Sequence, residues 1–531
     1  MSTNTISTPD TLEKEVSTKP KKTITKKNND AIHLAEQLIP KKEFLVKSPQ
    51  EVKEQPHFYH KIKEVEELLG KKFYEFDFDI QEAIVLRRLQ QMTNNLFLNP
   101  FWKNRLKEAG ITEAPKSFEE WQNIPLTDKE TMVAAFNGKR EGMIIPFSEG
   151  GFEIVASGGT SSGIPLETVY ELEELQETYE MAGEFMGKFI TDKYLSKEGP
   201  KWMATTLADY QMWSSGTMVG GVLQKIPKVN FLGAGPLNTK VFQHMMSYKG
   251  EKAIMSTSNA IALLADFGRG MDEERRNSFK IAMYGSGLMS NKQEEALREV
   301  YPQVEILSYF AATQAETIGL QLDHANQALS TVPGLHFVEI VDENGKWVKE
   351  GEEGELVITR LHTNKVPNIR YKLGDRVVRL KRLDTPELKT EQFLFKGRSG
   401  DVIHLGDSHF SAPKAEKKLF STLVKEGIPL IEQAIEIQFS NDRKSRKLTL
   451  LVSALNANEI QKKIVDLGEE AINNLFVESL IQSLPLFNTW EANRGYIEKS
   501  KYQFFVNVVE KGSKEIFRTT HGKTPLIRDK F

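Results

Sequence analysis

Four short stretches carry residue types suited to a phosphorylated substrate. The first is Ser157-Gly158-Gly159-Thr160-Ser161-Ser162-Gly163-Ile164-Pro165, directly behind the apolar run Ile154-Val155-Ala156. Small residues let backbone N–H groups approach phosphate oxygens, and the hydroxyls add donors. The Gly-Lys-Ser/Thr ending of a Walker loop is missing, which disfavours a P-loop NTPase. Taken alone, such a stretch is more often an ordinary turn. The second is Phe310-Ala311-Ala312-Thr313-Gln314-Ala315-Glu316, behind the strand-like run 304–307. A hydroxyl and an acid at a strand's carboxyl end suit a phosphate and its Mg2+. A helix N-cap by Thr313 explains the same residues equally well. The third is Asn368-Ile369-Arg370-Tyr371-Lys372-Leu373-Gly374-Asp375. An Asp after a glycine turn can accept both hydroxyls of a ribose, or merely bond its own backbone. The fourth, Thr520-His521-Gly522-Lys523-Thr524-Pro525, is either a cationic finger on a glycine turn or a solvated tail.

These stretches need elements to hold them. Apolar spacing predicts helices over 60–69, 80–96, 175–189 and 293–300. Short β-branched or apolar runs predict buried strands over 253–256, 280–284 and 304–307. A β-hairpin is expected from 336–341 and 355–359, with Asn344 and Gly345 supplying the positive φ of its turn. Alternating helix and strand signals give an α/β fold. Glycines in Gly397-Arg398-Ser399-Gly400-Asp401 suggest a hinge before a separate α/β stretch of about 130 residues. An ordinary surface loop is the plainer reading. No repeat of fixed period is visible.

Composition bounds the answer. The chain has 531 residues, 27% of them charged, and a net charge of -3, so it should hold several domains and has no bulk attraction for nucleic acid. No apolar stretch approaches the ~18–20 residues of a membrane span, and no secretory h-region opens the chain. The expectation is a cytoplasmic protein. There are no cysteines, which excludes disulfides, thiolate metal sites and a thioester on the enzyme itself. Residues 1–30 hold ten Ser/Thr and six Lys, too polar to offset the entropy of ordering. The expected layout is a tail over 1–55, with 31–55 transitional, then a large domain over 56–396 and a small one over 397–531.

The four stretches, in this order and spacing, resemble the motifs of the adenylate-forming (AMP-binding) superfamily, and within it the phenylacetate–CoA ligase-like branch. The resemblance spans roughly 90–531. Pro100-Phe101-Trp102 through Gly110 and Ile124-Pro125-Leu126-Thr127-Asp128-Lys129 look like that branch's N-terminal signature. The 157–165 loop resembles the superfamily's phosphate loop, and Tyr284-Gly285-Ser286-Gly287 the segment against adenine. Phe310 to Gln314 sits where Tyr-Gly-x-Thr-Glu belongs, and Glu352 to Thr359 with Arg370 to Asp375 match the next motif. Gly397-Arg398 opens the hinge motif, and Gly522-Lys523 resembles the catalytic lysine loop. Departures are Ile164 for the phosphate-loop lysine, Phe310 for Tyr, Gln314 for Glu, and Gly400 for the hinge Asp.

The resemblance implies a large multi-subdomain N-terminal adenylation domain of mixed sheets and helices, with a small α+β C-terminal lid. It implies attack of a small-molecule carboxylic acid, aryl or acyl, on the α-phosphorus of ATP, then transfer of the acyl group from AMP to coenzyme A. By this analogy Ser157, Gly158, Gly159, Thr160 and Ser161 cradle the β- and γ-phosphates, and Gly285 lies against adenine. Thr313 meets the α-phosphate, with Gln314 or Glu316 near Mg2+. Asp375 takes the ribose hydroxyls, Arg398 supports ribose or phosphate, and Lys523 bridges carboxylate and α-phosphate. Asp209-Tyr210-Gln211-Met212-Trp213 falls where the acyl pocket is lined, although these aromatics suit a core as well. Alternatives are transfer to an acyl carrier protein or an amine, and a non-catalytic scaffold retaining the fold. The self-acylating variant is excluded by the absence of cysteine.

Overall fold

The computed structural model describes residues 30–156, 166–209, 212, 214–286, 289, 291–398, 402–405, 408–430, 435–482, 494–495, 497–498, 500–518 and 524–530. Apolar spacing becomes helix at Phe58–Leu69, Phe78–Leu96 and Asn291–Val300. Gly70 ends the first in the left-handed region, φ 65°, which glycine adopts without a Cβ clash. The second buries Ile84, Val85, Leu89, Met92 and Leu96. The helix expected over 175–189 runs over Leu172–Met186 and then loosens into a π turn, Gly187–Thr191. There a Cβ on Gly187 would stand 2.8 Å from Pro227.

The strands expected over 253–256, 280–284 and 304–307 form within one eleven-stranded sheet. Its members are β3 (Lys201–Thr205), β4 (Asn230–Gly233), β5 (Glu251–Thr257), β6 (Phe279–Gly285), β7 (Glu305–Ala312), β8 (Glu316–Asp323), β9 (Asn326–Thr331), β10 (His336–Val341), β11 (Glu353–Arg360), β12 (Tyr371–Arg379) and β15 (Gln392–Arg398). Before them, β1 (Phe152–Ala156) and β2 (Glu167–Glu171) make a separate hairpin, and β13 (Leu383–Asp384) pairs β14 (Lys389–Thr390). The order is β10-β11-β12-β15-β9-β8-β7-β6-β5-β3-β4. Strands β4, β3, β5, β6 and β7 are parallel. Parallel pairing demands crossovers, and helices Ser215–Gln224, Thr239–Met246, Ser258–Gly268 and Asn291–Val300 supply them. From β7 onward neighbours run antiparallel. Thus β7 is the switch between the two halves, and its carboxyl end carries Thr313.

A second unit follows 399–401. The hairpin β16 (Val402–Leu405) and β17 (Ser408–Ser411) leads to helix Ala412–Lys425. Then come β18 (Ile435–Asp442), β19 (Lys447–Ala454), two helices, β20 (Gln503–Glu510) and β21 (Ile527–Lys530), in the sheet order β20-β19-β18-β21. Its core, from Ile403 to Val508, is a cluster separate from that of the large domain.

Two expectations are corrected. Residues 30–55 belong to the folded domain, not to a tail. They form helices Asp30–Leu38, Lys41–Phe44 and Pro49–Lys53, and Leu34, Ala35, Leu38, Ile39 and Val52 are buried. Arg87 anchors them, donating from Nε and Nη2 to the Ile39 carbonyl at 3.2 and 3.1 Å while lying 3.7 Å over the Phe44 ring. Residues 1–29 lie outside the described residues. Of the Asn344-Gly345 pair only Gly345 takes positive φ, 74°. Asp342 Oδ1 accepts the backbone N–H groups of Asn344 and Lys346, holding Asn344 out of the left-handed region. Among the described residues no helix is long and apolar enough to cross a membrane.

Candidate active site

Open α/β sheets bind ligands beyond the carboxyl ends of their strands. Here Thr205 of β3 pairs with Met255 of β5, and Thr257 of β5 pairs with Gly285 of β6, where these strands end along that edge. A Cβ on Gly285 would come 3.0 Å from the Tyr309 carbonyl of β7, so glycine lets β6 and β7 close up there. Ser286 follows at φ 60°, a left-handed conformation unusual without glycine.

Beyond β7 the chain reverses through Thr313, Gln314 and Ala315, and β8 begins at Glu316, which is paired with Ala312. The Ala315 N–H closes the reversal on the Ala312 carbonyl at 3.0 Å. The helix N-cap offered for Thr313 therefore does not form. Two side chains from distant segments clasp this turn. Tyr170 of β2 donates its hydroxyl proton to the Thr313 carbonyl at 2.6 Å. Asn368 Nδ2 donates to the Gln314 carbonyl at 2.8 Å.

Both clasps reach another predicted stretch. Tyr170 sits in β2, and Ala156 of β1 pairs Glu167 of β2, so the strands flanking the glycine–serine loop are held beside one another. The loop residues Ser157, Gly158, Gly159, Thr160 and Ser161 lie outside the described residues. Its root also meets the segment offered for the acyl pocket, since the Ala156 N–H donates to the Met212 carbonyl at 2.8 Å. Met212 is exposed at φ 68°, whereas Tyr210, Gln211 and Trp213 lie outside the described residues. Asn368 opens the stretch that ends at Asp375. Buried Asp375 pairs in register with Arg398 at the end of β15, one residue before the interdomain segment. Phe310 of β7 packs on Phe395 of β15, ring centroids 5.4 Å apart, and Phe395 pairs with Val377 two residues past Asp375. The turn after β7, the glycine–serine hairpin and the Asp375 strand thus converge from sites far apart in sequence.

Glu316 is placed differently from the expectation of a metal ligand. Its side chain is 3% exposed, with Oε2 3.4 Å from His336 Nε2 and Oε1 3.7 Å from Arg360 Nε. Neither oxygen has a hydrogen-bond partner among the described residues. Burial raises its pKa against the opposing pull of Arg360. The same burial, with Arg360 adding, pushes His336 down to about 3, so that imidazole is neutral. Arg360 lies 3.8 Å over the Tyr170 ring and donates to the Val169 carbonyl at 3.3 Å. Gln314 is buried and uncharged. The described part of this turn therefore offers Mg2+ no accessible carboxylate.

In the second unit Lys523 lies outside the described residues, but the base of its loop is defined. Gln438 of β18 is fully buried and accepts the Phe517 N–H at 2.9 Å. Its Nε2 donates to the Phe517 and Pro525 carbonyls at 3.0 and 2.9 Å. Glu436 holds Arg518 at 2.5 Å and Thr524 at 3.2 Å. Sequence reasoning missed Tyr170, Arg360 and Gln438, and gave Asn368, inside the third stretch, no role of its own. No local pattern marks these roles, because each side chain acts on a backbone group distant in sequence.

No protein-family model matches the chain, and no curated protein matches it. Solved structures do. A 2-hydroxyisobutyryl-CoA ligase in the postadenylation state, in complex with R3-HIB-AMP, superposes with a TM-score of 0.61 at 16% identity, over 86% of this chain and 91% of that one. The two molecules share one fold. The same ligase in an open conformation with 2-HIB-AMP and CoA gives 0.55 at 16% identity, over 85% and 92% of the two chains. The acyl acid amido synthetase AtGH3.15 in complex with 2,4-DB gives 0.55 at 13%, over 84% and 91%.

Proposed function

We propose that this chain activates a small carboxylic acid with ATP as an acyl-adenylate and then passes the acyl group to a thiol, that of coenzyme A. The observation that carries this reading is the convergence of the Thr313 turn, the glycine–serine hairpin and the Asp375 strand at the carboxyl edge of the parallel sheet. A carboxylate and a triphosphate repel, so the site must supply donors that offset their charge and align them. In this reading the 157–161 backbone cradles the β- and γ-phosphates, and Thr313 meets the α-phosphate. Gly285 leaves room against adenine, Asp375 accepts the ribose hydroxyls, and Arg398 supports them. Lys523 arrives with the smaller domain to bridge carboxylate and α-phosphate. Glu316 is a positioning residue of the Thr313 turn. The ligase likeness favours coenzyme A as acceptor. The amido synthetase likeness keeps an amine as the second reading, since the acceptor is set by residues outside the shared fold.

The test is pyrophosphate release with ATP and a panel of aryl and alkyl acids. Release with one acid class, and thioester formed only when coenzyme A is added, is the expected result. No release and no thermal shift with ATP would favour a non-catalytic scaffold. Lys523→Ala should abolish adenylate formation yet spare thioester formation from supplied acyl-adenylate; equal loss of both steps would refute a moving lysine. Asp375→Ala should raise the apparent ATP requirement, each lost charge-assisted bond being worth ~1.5–3 kcal/mol.

A further inference from the structure

Away from the cleft, the helix Phe58–Leu69 meets the helix Leu172–Met186 along a polar seam. His57 is the N-cap of the first helix, and His60 follows three residues later, so both imidazoles leave the same turn. Glu177 faces them from the second helix. His57 Nδ1 stands 2.9 Å from Glu177 Oε1 and 3.0 Å from Oε2, and His60 Nε2 stands 2.8 Å from Oε1. One donor atom from each residue lies within 4.8 Å of the other two. Two ring nitrogens and one carboxylate oxygen thus share a small volume. His57 and Glu177 side chains are 16% and 14% exposed, while His60 is 64% exposed. Two donors are held by packing and the third is open to solvent.

We propose that His57, His60 and Glu177 form a binding site for a divalent transition metal of the zinc class, with water completing a tetrahedral shell. Zinc takes imidazole nitrogen at ~2.0–2.1 Å and carboxylate oxygen at ~2.0–2.2 Å, which sets tetrahedral ligand atoms roughly 3.3 Å apart. The present spacings of 2.8 to 3.0 Å need to widen by only about 0.4 Å for an ion of that coordination to enter. Two imidazoles select zinc, nickel or copper over Mg2+ and Ca2+, which prefer oxygen.

The seam already carries Tyr59 on Glu180 at 2.7 Å and Lys63 on Glu184 at 2.8 Å. The second helix begins directly after β2, the strand whose Tyr170 clasps the Thr313 turn. An ion here ties the helix Phe58–Leu69 to the helix that follows β2.

The experiment is calorimetric titration of the full-length, chelator-dialysed protein with ZnCl2, with the thermal midpoint followed in parallel. Expected are one saturable ion per chain, a rise in Tm, and no such response to MgCl2. Co2+ in place of zinc should give the visible d–d bands of a four-coordinate ion. His60→Ala, an exposed position that leaves packing intact, should weaken binding by about tenfold or more, as should Glu177→Gln. Absence of saturable zinc binding overturns the proposal. So does zinc affinity unchanged in His60→Ala, which would place the ion elsewhere, or a six-coordinate cobalt spectrum.

Discussion

Arg370 and Glu316 share a backbone conformation and differ in what their side chains find. Both are buried non-glycine residues with φ 45°, and both belong to buried arginine–glutamate pairs. The Arg370 guanidinium lies 3.0 Å from Glu339 Oε1 through Nη2 and 3.2 Å from Oε2 through Nε. It also donates to the carbonyls of Gln122, Ile124 and Gly345 at 2.9, 2.6 and 2.8 Å. Glu339 in turn accepts the indole N–H groups of Trp121 and Trp347 at 3.0 and 2.8 Å. Glu316 has Arg360 at 3.7 Å and neutral His336 at 3.4 Å, with no hydrogen-bond partner among the described residues. A buried charge stabilises only when Coulomb attraction and hydrogen bonds together replace the water it lost. The Arg370 knot meets that condition and fixes the strand leading to Asp375. The Glu316 knot does not, and it lies directly beneath the turn that carries Thr313.

The largest expected effect tests the first knot. Arg370→Met strands Glu339 as an uncompensated buried charge and should cost ~3–5 kcal/mol, measured as a fall in the denaturant midpoint. A loss near zero would make the two knots equivalent. Next is Tyr170→Phe, which leaves the Thr313 carbonyl without its donor. The expected loss is ~1–3 kcal/mol, and on the proposed reading ATP demand should rise more than acid demand. An ATP dependence identical to the native protein's would confine Tyr170 to stability. The smallest effect belongs to Glu316→Gln. Its carboxyl pKa is raised in the folded state, so the folded protein holds that proton more tightly than the unfolded chain. Its contribution to stability is therefore present below the ordinary carboxylate range and lost as pH rises through the folded pKa. Glu316→Gln should match or exceed native stability at neutral pH, within about 1 kcal/mol, and flatten the decline that begins above the ordinary carboxylate range. A loss as large as that of Arg370→Met would erase the contrast.

The legible parts of the fold were those with a local physical period. Helices Phe58–Leu69, Phe78–Leu96 and Asn291–Val300 follow the 3.6-residue spacing of their apolar faces. Strands β5, β6 and β7 follow from short apolar runs. Residues 30–55 misled, because short polar helices gain their stability from docking on Phe78–Leu96 and from Arg87, neither of which shows locally. In the candidate site, Thr313, Gly285 and Asp375 could be singled out because a hydroxyl, a glycine and an acid beside apolar runs leave a mark in the chain. Tyr170 and Asn368 were not, because a side chain that satisfies a distant carbonyl has no constraint on its neighbours.

Sequence alone determined the α/β alternation and singled out the glycines near 397–401 and the order of four stretches whose residue types suit a phosphorylated substrate. These follow from periodicity and backbone permissiveness, which act over a few residues. Only the tertiary structure decided that β7 is the switch strand, that Tyr170 and Asn368 clasp one turn, and that Glu316 faces Arg360 in the core instead of solvent. Those outcomes depend on which distant groups share a buried volume, and burial is a property of the whole fold.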